Sequence, residues 1–165
     1  EARVEQDLDL TVRPVPAVAT SPVDPDPRFA LDVHLGALAG RLRLLGFDTL
    51  YRNDWEDVAL ARTAQAEARW LLTRDRGLLK RRSLTRGCLV RHSAPDAQAA
   101  EIADRLCLRP LARPWSRCLR CNGVLADVPR GRVVDRLEPL TRRHYDRIRE
   151  CGACGGVAGG AGGAA

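Results

Sequence analysis

At 165 residues the chain has room for one core of ordinary size and a small satellite module. Its composition, 45% hydrophobic and 29% charged, is globular, with no apolar run long enough to span a bilayer and no signal-peptide pattern at its start. The formal net charge is +6, carried almost wholly by arginine because Lys80 is the one lysine; guanidinium suits phosphate and a basic surface draws polyanions, although a GC-rich coding sequence enriches arginine too.

Residues 1–27 are polar and studded with proline, ending in Pro22-Val23-Asp24-Pro25-Asp26-Pro27. Such density opposes helix and favours an extended linker, to which Val12 to Val18 could add an edge strand. The chain opens at Glu1 and contains no Met, so the native start is expected to lie upstream. A regular alternation comes next. Phe29 to Val33 reads as a short buried strand closed by Asp32, and Leu35, Leu38, Ala39, Leu42 and Leu45 fall on one helix face, stopped at Gly46. Asp48 to Tyr51 is the second strand. Asp54, with Asp57 three residues later, resembles a cap opening a helix through Val58, Ala61, Ala64 and Ala68. Trp70 to Thr73 is the third strand, followed by a short helix from Arg76 to Arg82. Gly87 to Arg91 is the fourth, followed by a helix from Asp96 to Leu106. Strands and helices alternating at this spacing predict an open, mainly parallel α/β sheet flanked by helices over residues 28–112, with both sheet faces covered.

Pro110 to Pro114 interrupts that pattern and opens a second module over residues 113–156. It holds two C-x-x-C pairs, Cys118 with Cys121 and Cys151 with Cys154. Two short pairs a few tens of residues apart point to a tetrahedral Zn²⁺ site, structural because four cysteines leave no open position, and to a reducing, cytoplasmic setting. Val124-Leu125 and Val133-Val134 are the strand candidates between the knuckles, and Arg117, Arg120, Arg130 and Arg132, grouped with Asn122, make the module basic. Residues 157–165, almost all Gly and Ala, read as a flexible tail. Cys88 and Cys107 sit in apolar company as core residues, and His92 and His144 have no role in this reading.

Ligands of an open α/β sheet gather at the carboxyl ends of its strands. Asp32 ends the first strand, Asp75 follows the third, and Asp57 lies in the first turn of the helix leading out of the second, so all three can reach one edge. Convergent carboxylates there would call for a hard cation, Mg²⁺ or Mn²⁺, able to lower the pKa of a bound water. Each acid also has a simpler reading: Asp32 and Asp75 as helix caps, Asp57 as a favourable charge at a helix N-terminus. Arg74 and Arg76, flanking Asp75, would offset carboxylate crowding and hold a phosphate.

The stretches "RFALDVHLGALAGRLRLLGFDTLYRND", "LLTRDRGLLKRR" and "RCLRCNGVL", in this order, resemble the Mut-seven C-terminal ribonuclease family, with a match running from about Arg28 through Cys154. The resemblance implies a PIN-like nuclease fold with a zinc ribbon and a divalent-metal ribonuclease site built on Asp32, Asp57 and Asp75. It also implies contacts from Arg41, Arg43 and Arg74 to RNA phosphates. The proline-rich start resembles the link that follows a ubiquitin-like domain in longer members. The expected function is metal-dependent hydrolysis of RNA, with a ribbon that helps to bind RNA or a ribonucleoprotein such as the ribosome; the alternative is an RNA- or ribosome-binding module that does not cleave.

Overall fold

A computed structural model describes residues 24–81 and 84–160; the edge strand expected at Val12 to Val18, and Arg82 at the end of the short helix, lie outside them. The described residues open with β1 (Phe29–Leu31), a 3-10 turn (Val33–Leu35), α1 (Gly36–Leu44), β2 (Thr49–Tyr51), α2 (Asp57–Ala66), β3 (Trp70–Thr73), α3 (Arg76–Leu79), β4 (Gly87–Leu89) and α4 (Pro95–Arg105). The four strands form one parallel sheet in the order β2-β1-β3-β4. β1 and Leu71 and Leu72 of β3 are fully buried, because a parallel strand is covered on both faces. Alternation sorts their side chains. Phe29, Leu31 and Leu72 pack with Leu35, Leu38, Leu42, Ile102 and Leu108 under α1 and α4. Ala30 and Leu71 pack with Leu60, Ala64 and Leu78 under α2 and α3. Truncating any of these leucines to alanine costs about 2–5 kcal/mol.

The strand order sets where a site can form. From β1 the chain steps outward to β2, then crosses back over β1 to β3, so the direction of winding reverses between β1 and β3. The carboxyl ends of those two strands therefore open a crevice.

Helix α3 stops at Leu79, ahead of the expected Arg82, and both ends of α2 differ from expectation. The helix expected to open at Asp54 begins at Asp57, because Asp54 is held by Arg52 (3.0 and 3.1 Å) instead of capping, and Glu56 precedes the helix in an extended conformation. It ends at Ala66 short of Ala68, whose φ of 51° breaks the helix and turns Arg69 inward to Asp48 (2.8 Å).

Beyond the proline-rich connection lie β5 (Leu125–Asp127), α5 (Arg130–Val133), α6 (Pro139–His144), β6 (Arg147–Cys151) and β7 (Val157–Gly160), the strands forming an antiparallel sheet β5-β6-β7. Val133 and Val134, expected to be a strand, are helical. Val133 and Leu137, four residues apart, bury together against Ile148, and this helical spacing prevails over β propensity. The strand partner of β5 is β6, paired Leu125 with Cys151. The start of the expected flexible tail supplies β7, which pairs with β6 from Val157 to Gly160 through backbone groups that Gly and Ala provide as well as any residue.

The small sheet is fastened to the large one at the point where α1 gives way to β2. Gly46 stops α1 with φ +93°, and the connection passes so close that a β-carbon there would collide with the Arg113 carbonyl. Arg113 and Trp115 N–H groups donate to the carbonyls of Leu45 (2.9 Å) and Leu44 (3.1 Å). Among the described residues no helix is long and apolar enough to cross a membrane.

Candidate functional site

At the crevice between β1 and β3, Asp32 is 5% exposed and anchored on three donors. Its Oδ1 accepts the His34 N–H (2.8 Å), capping the 3-10 turn, and its Oδ2 accepts the Thr73 hydroxyl and the Arg74 N–H (3.1 Å). Thr73 completes a relay by accepting the Asp75 N–H at 2.9 Å. The crossing of β1 and β3 thus brings Asp32 and Asp75 together around one threonine. Asp75 is exposed and caps α3 through the Gly77 N–H (2.6 Å), so it takes the capping role the sequence left open, and among the described residues its second oxygen accepts no hydrogen bond. Asp57 is exposed in the first turn of α2, reached from the same end of β2.

A carboxylate offers about four acceptor positions. Asp32 commits three to the protein, leaving room for one further ligand. The three aspartates share an edge rather than a point: among the described residues, the one group of three or more His, Cys, Asp or Glu ligand atoms gathered within 4.8 Å is the four cysteines.

The arginines divide. Arg74 and Arg76 are exposed beside Asp75 and make no side-chain hydrogen bond among the described residues. Arg41 is paired with Asp96 across α1 and α4 (2.5 Å), a bond that raises its pKa and lowers that of the carboxyl. Arg43 corrects the sequence reading. It is 8% exposed and donates to the carbonyls of Thr49 (3.0 Å), Leu119 (3.0 Å) and Arg120 (3.5 Å), so its guanidinium ties α1 to the first cysteine knuckle and cannot meet a phosphate.

The cysteine centre is built twice from one backbone plan. In the first knuckle Cys118 N–H donates to Gly123 O (2.8 Å) and Asn122 N–H to Cys118 O (2.9 Å). In the second, Cys151 N–H donates to Gly156 O (2.8 Å) and Gly155 N–H to Cys151 O (2.9 Å). Asn122 and Gly155, each following the second cysteine of its pair, both have φ of 67°. Gly123 is required by packing, since a β-carbon there would meet Cys151 Sγ at 2.7 Å and Ala153 Cβ at 2.9 Å.

Sulfur separations of 3.7 Å (Cys118 to Cys154) and 3.4 Å (Cys121 to Cys151) approach the roughly 3.8 Å edge of a tetrahedron with Zn–S of about 2.3 Å. The four cysteines could therefore bind a structural metal such as zinc. The acidities of the thiols reflect the crowding of their sulfurs. The Cys154 N–H, with Ala153 N–H and the Cys121 thiol, draws Cys151 down to about 7. Cys121 has the Gly123 N–H in its favour, yet the Cys151, Cys154 and Cys118 sulfurs push it up to about 12. Four thiolates this close need a positive ion between them.

Two residues have roles that the sequence reading did not give them. Thr73 is one; the signal was a hydroxyl at the exit of a buried strand, directly before Arg74 and Asp75. Asn122 is the other. Its position needs φ above zero, which glycine meets more easily, and asparagine there signals a working side chain. Its Oδ1 accepts the Thr49 N–H (2.9 Å) and its Nδ2 donates to Asp48 (2.7 Å), docking the knuckle on β2. Burial opposes charge on Asp48, but hydrogen bonds from Arg69 and Asn122, with the Arg69 and Arg117 charges, hold its carboxyl below the usual range.

The family model described as the Mut7-C RNAse domain matches residues 27–158. Among the curated proteins and the solved structures there is no match to this chain.

Proposed function

The chain belongs to the Mut7-C RNAse domain family, and from that premise we propose that it hydrolyses RNA phosphodiesters with the help of a divalent cation held at the carboxyl edge of its parallel sheet. One observation carries the reading: the winding reversal between β1 and β3 brings Asp32, Thr73 and Asp75 into a single hydrogen-bonded unit at the place where α/β sheets bind ligands. Asp32, Asp57 and Asp75 would hold Mg²⁺ or Mn²⁺, oxygen-seeking ions matched to a carboxylate set. When bound, such an ion lowers the pKa of a water and neutralises charge on the phosphodiester.

The remaining work falls to the chain itself. Thr73 fixes the Asp32 carboxylate, and the Arg74 N–H fixes its second acceptor position, so one ligand cannot swing away. Arg74 and Arg76 stand where a phosphate could pair with them, and their charge offsets that of Asp75. The cysteine centre stands apart from this chemistry. It folds the small sheet, whose exposed arginines would extend the grip on RNA, and its thiols suit a reducing compartment such as the cytoplasm.

A second reading, an RNA- or ribosome-binding module that does not cleave, draws on the capping bonds of Asp32 and Asp75, which would give both acids a purpose without catalysis. Cleavage of labelled RNA by the zinc-loaded chain with Mg²⁺ or Mn²⁺, beside Asp57→Asn, separates the two. Cleavage lost in the variant with RNA binding retained supports the ribonuclease; tight binding by both proteins with cleavage by neither supports the module.

A further inference from the structure

We propose that His92 is a further catalytic residue of the same edge, the proton donor to the leaving oxygen of the scissile phosphodiester, with Glu101 as the positioning residue behind it; this rests on the ribonuclease reading above. β4 leaves the sheet through Val90, whose N–H donates to the Thr73 carbonyl (2.8 Å). The exit of β4 therefore runs beside that of β3, one strand spacing of about 4.8 Å away. Thr73 is the residue whose hydroxyl holds Asp32, so the loop carrying His92, two residues past Val90, leaves the same edge of the sheet one strand beyond that carboxylate.

α4 is written to hold this loop. Gln98, buried, donates from Nε2 to the carbonyls of His92 (3.0 Å) and Ser93 (3.3 Å). Glu101, its side chain 6% exposed, accepts three bonds at Oε2: the Arg91 N–H (2.9 Å), the His92 N–H (3.2 Å) and the His92 ring at Nδ1 (2.9 Å). Its Oε1 accepts Arg105 (3.1 Å), which also donates to Leu89 O. Burial opposes the charge on Glu101, yet the bonds from His92, Arg91 and Arg105 hold its carboxyl below the usual range. An ionised carboxylate only accepts, so Nδ1 carries the proton and Nε2 is left on the open side of a ring that is 58% exposed.

Two backbone N–H groups and Arg105 already suffice to anchor Glu101. The additional bond orients the imidazole, as a base or acid is oriented by a third group in hydrolytic sites. The other charged groups around the loop are Arg91 beside the ring, Arg105 on α4, and the Arg41–Asp96 pair between α1 and α4.

In the step itself a water oxygen bonds to phosphorus as the bond from phosphorus to the leaving sugar oxygen breaks. The water gives up a proton to solvent; the imidazolium form of His92, which carries a proton at Nε2 as well as at Nδ1, passes the Nε2 proton to the leaving oxygen, and the neutral imidazole so formed takes a proton back from solvent. The test uses the full zinc-loaded chain with Mg²⁺ or Mn²⁺ on two substrates: an RNA oligonucleotide, and a nucleotide p-nitrophenyl ester whose leaving group departs without a proton. His92→Gln is expected to lose about a hundredfold in kcat/KM on RNA and to cleave the ester at nearly the wild-type rate. Added imidazole should restore part of the RNA cleavage of His92→Gly. Glu101→Gln, assayed below its measured unfolding midpoint, should show a smaller loss with the same dependence on leaving group. If His92→Gln matches wild type on both substrates, or falls equally on both, the proposal is overturned while the ribonuclease reading stands. A wild-type chain that cleaves neither substrate overturns that reading and this one with it.

Discussion

The cysteine centre and the carboxylate edge are assembled in two different ways. Four cysteines lie within 4.8 Å of one another, their sulfurs aimed by two knuckles with matching backbone bonds. Three aspartates stand at a sheet edge, two joined through Thr73 and the third in the first turn of α2. The first site is specified locally, by six-residue turns that carry their own geometry. The second is specified by topology, since Asp32 and Asp75 meet only because the chain crosses from β2 back over β1 to β3. A locally specified site should fail with its own module, and a topological one should lose its chemistry while the fold survives.

The largest effect expected on that contrast comes from Cys151→Ser. Cys151 is buried, ends β6 and supplies one of the four sulfurs. Structural zinc sites contribute on the order of 10 kcal/mol to folding, so the variant should lose its zinc and the small sheet should open. Zinc release measured with a chromogenic chelator, beside amide exchange of β5 to β7, checks both.

Asn122→Gly is the intermediate case. It keeps the backbone able to adopt φ of 67° but removes the bonds to Thr49 and Asp48, leaving buried polar groups unpaired at a cost of about 1–3 kcal/mol. Zinc content should stay at the wild-type level while the denaturation midpoint falls. A loss of zinc from this variant would show that the knuckle depends on its dock as well as on its own turn.

The smallest effect is a pH dependence at the same dock. Asp48 has a folded pKa below its unfolded value, so its contribution is present above the unfolded pKa, about 3.9, and is lost as pH falls through the folded one. Urea midpoints followed from neutral pH down to pH 3 should decline, and Asp48→Asn, less stable at neutral pH, should decline less steeply over the acid range.

The same contrast explains what could be seen in the sequence. The spacing of Cys118, Cys121, Cys151 and Cys154 is a chemical signal in itself, and β3 was legible to the residue because Trp70 to Thr73 is an apolar run ended by a capping aspartate. Asp32 and Asp75 could be placed at one edge once the alternation of strands and helices was read, but the link through Thr73 depends on which strands are neighbours, and strand order has no local mark. Arg43 was misread for a related reason. An arginine on a helix looks the same whether it faces solvent or the carbonyls of Leu119 and Arg120, seventy-odd residues away. Val133 and Val134 show the limit of propensity: β-branched residues form a helical turn where Leu137 and Ile148 offer a place to bury one.

The most direct test of the carboxylate edge is Asp75→Asn. Asparagine caps a helix as well as aspartate does, so α3 and the fold should persist while one ligand charge is removed. RNA cleavage and RNA binding would be measured on the same zinc-loaded preparations with Mg²⁺ or Mn²⁺. Wild type should cleave, and Asp75→Asn should bind RNA at least as tightly but lose cleavage by a hundredfold or more, on the order of 3 kcal/mol in barrier. Cleavage by the variant at the wild-type rate would contradict that.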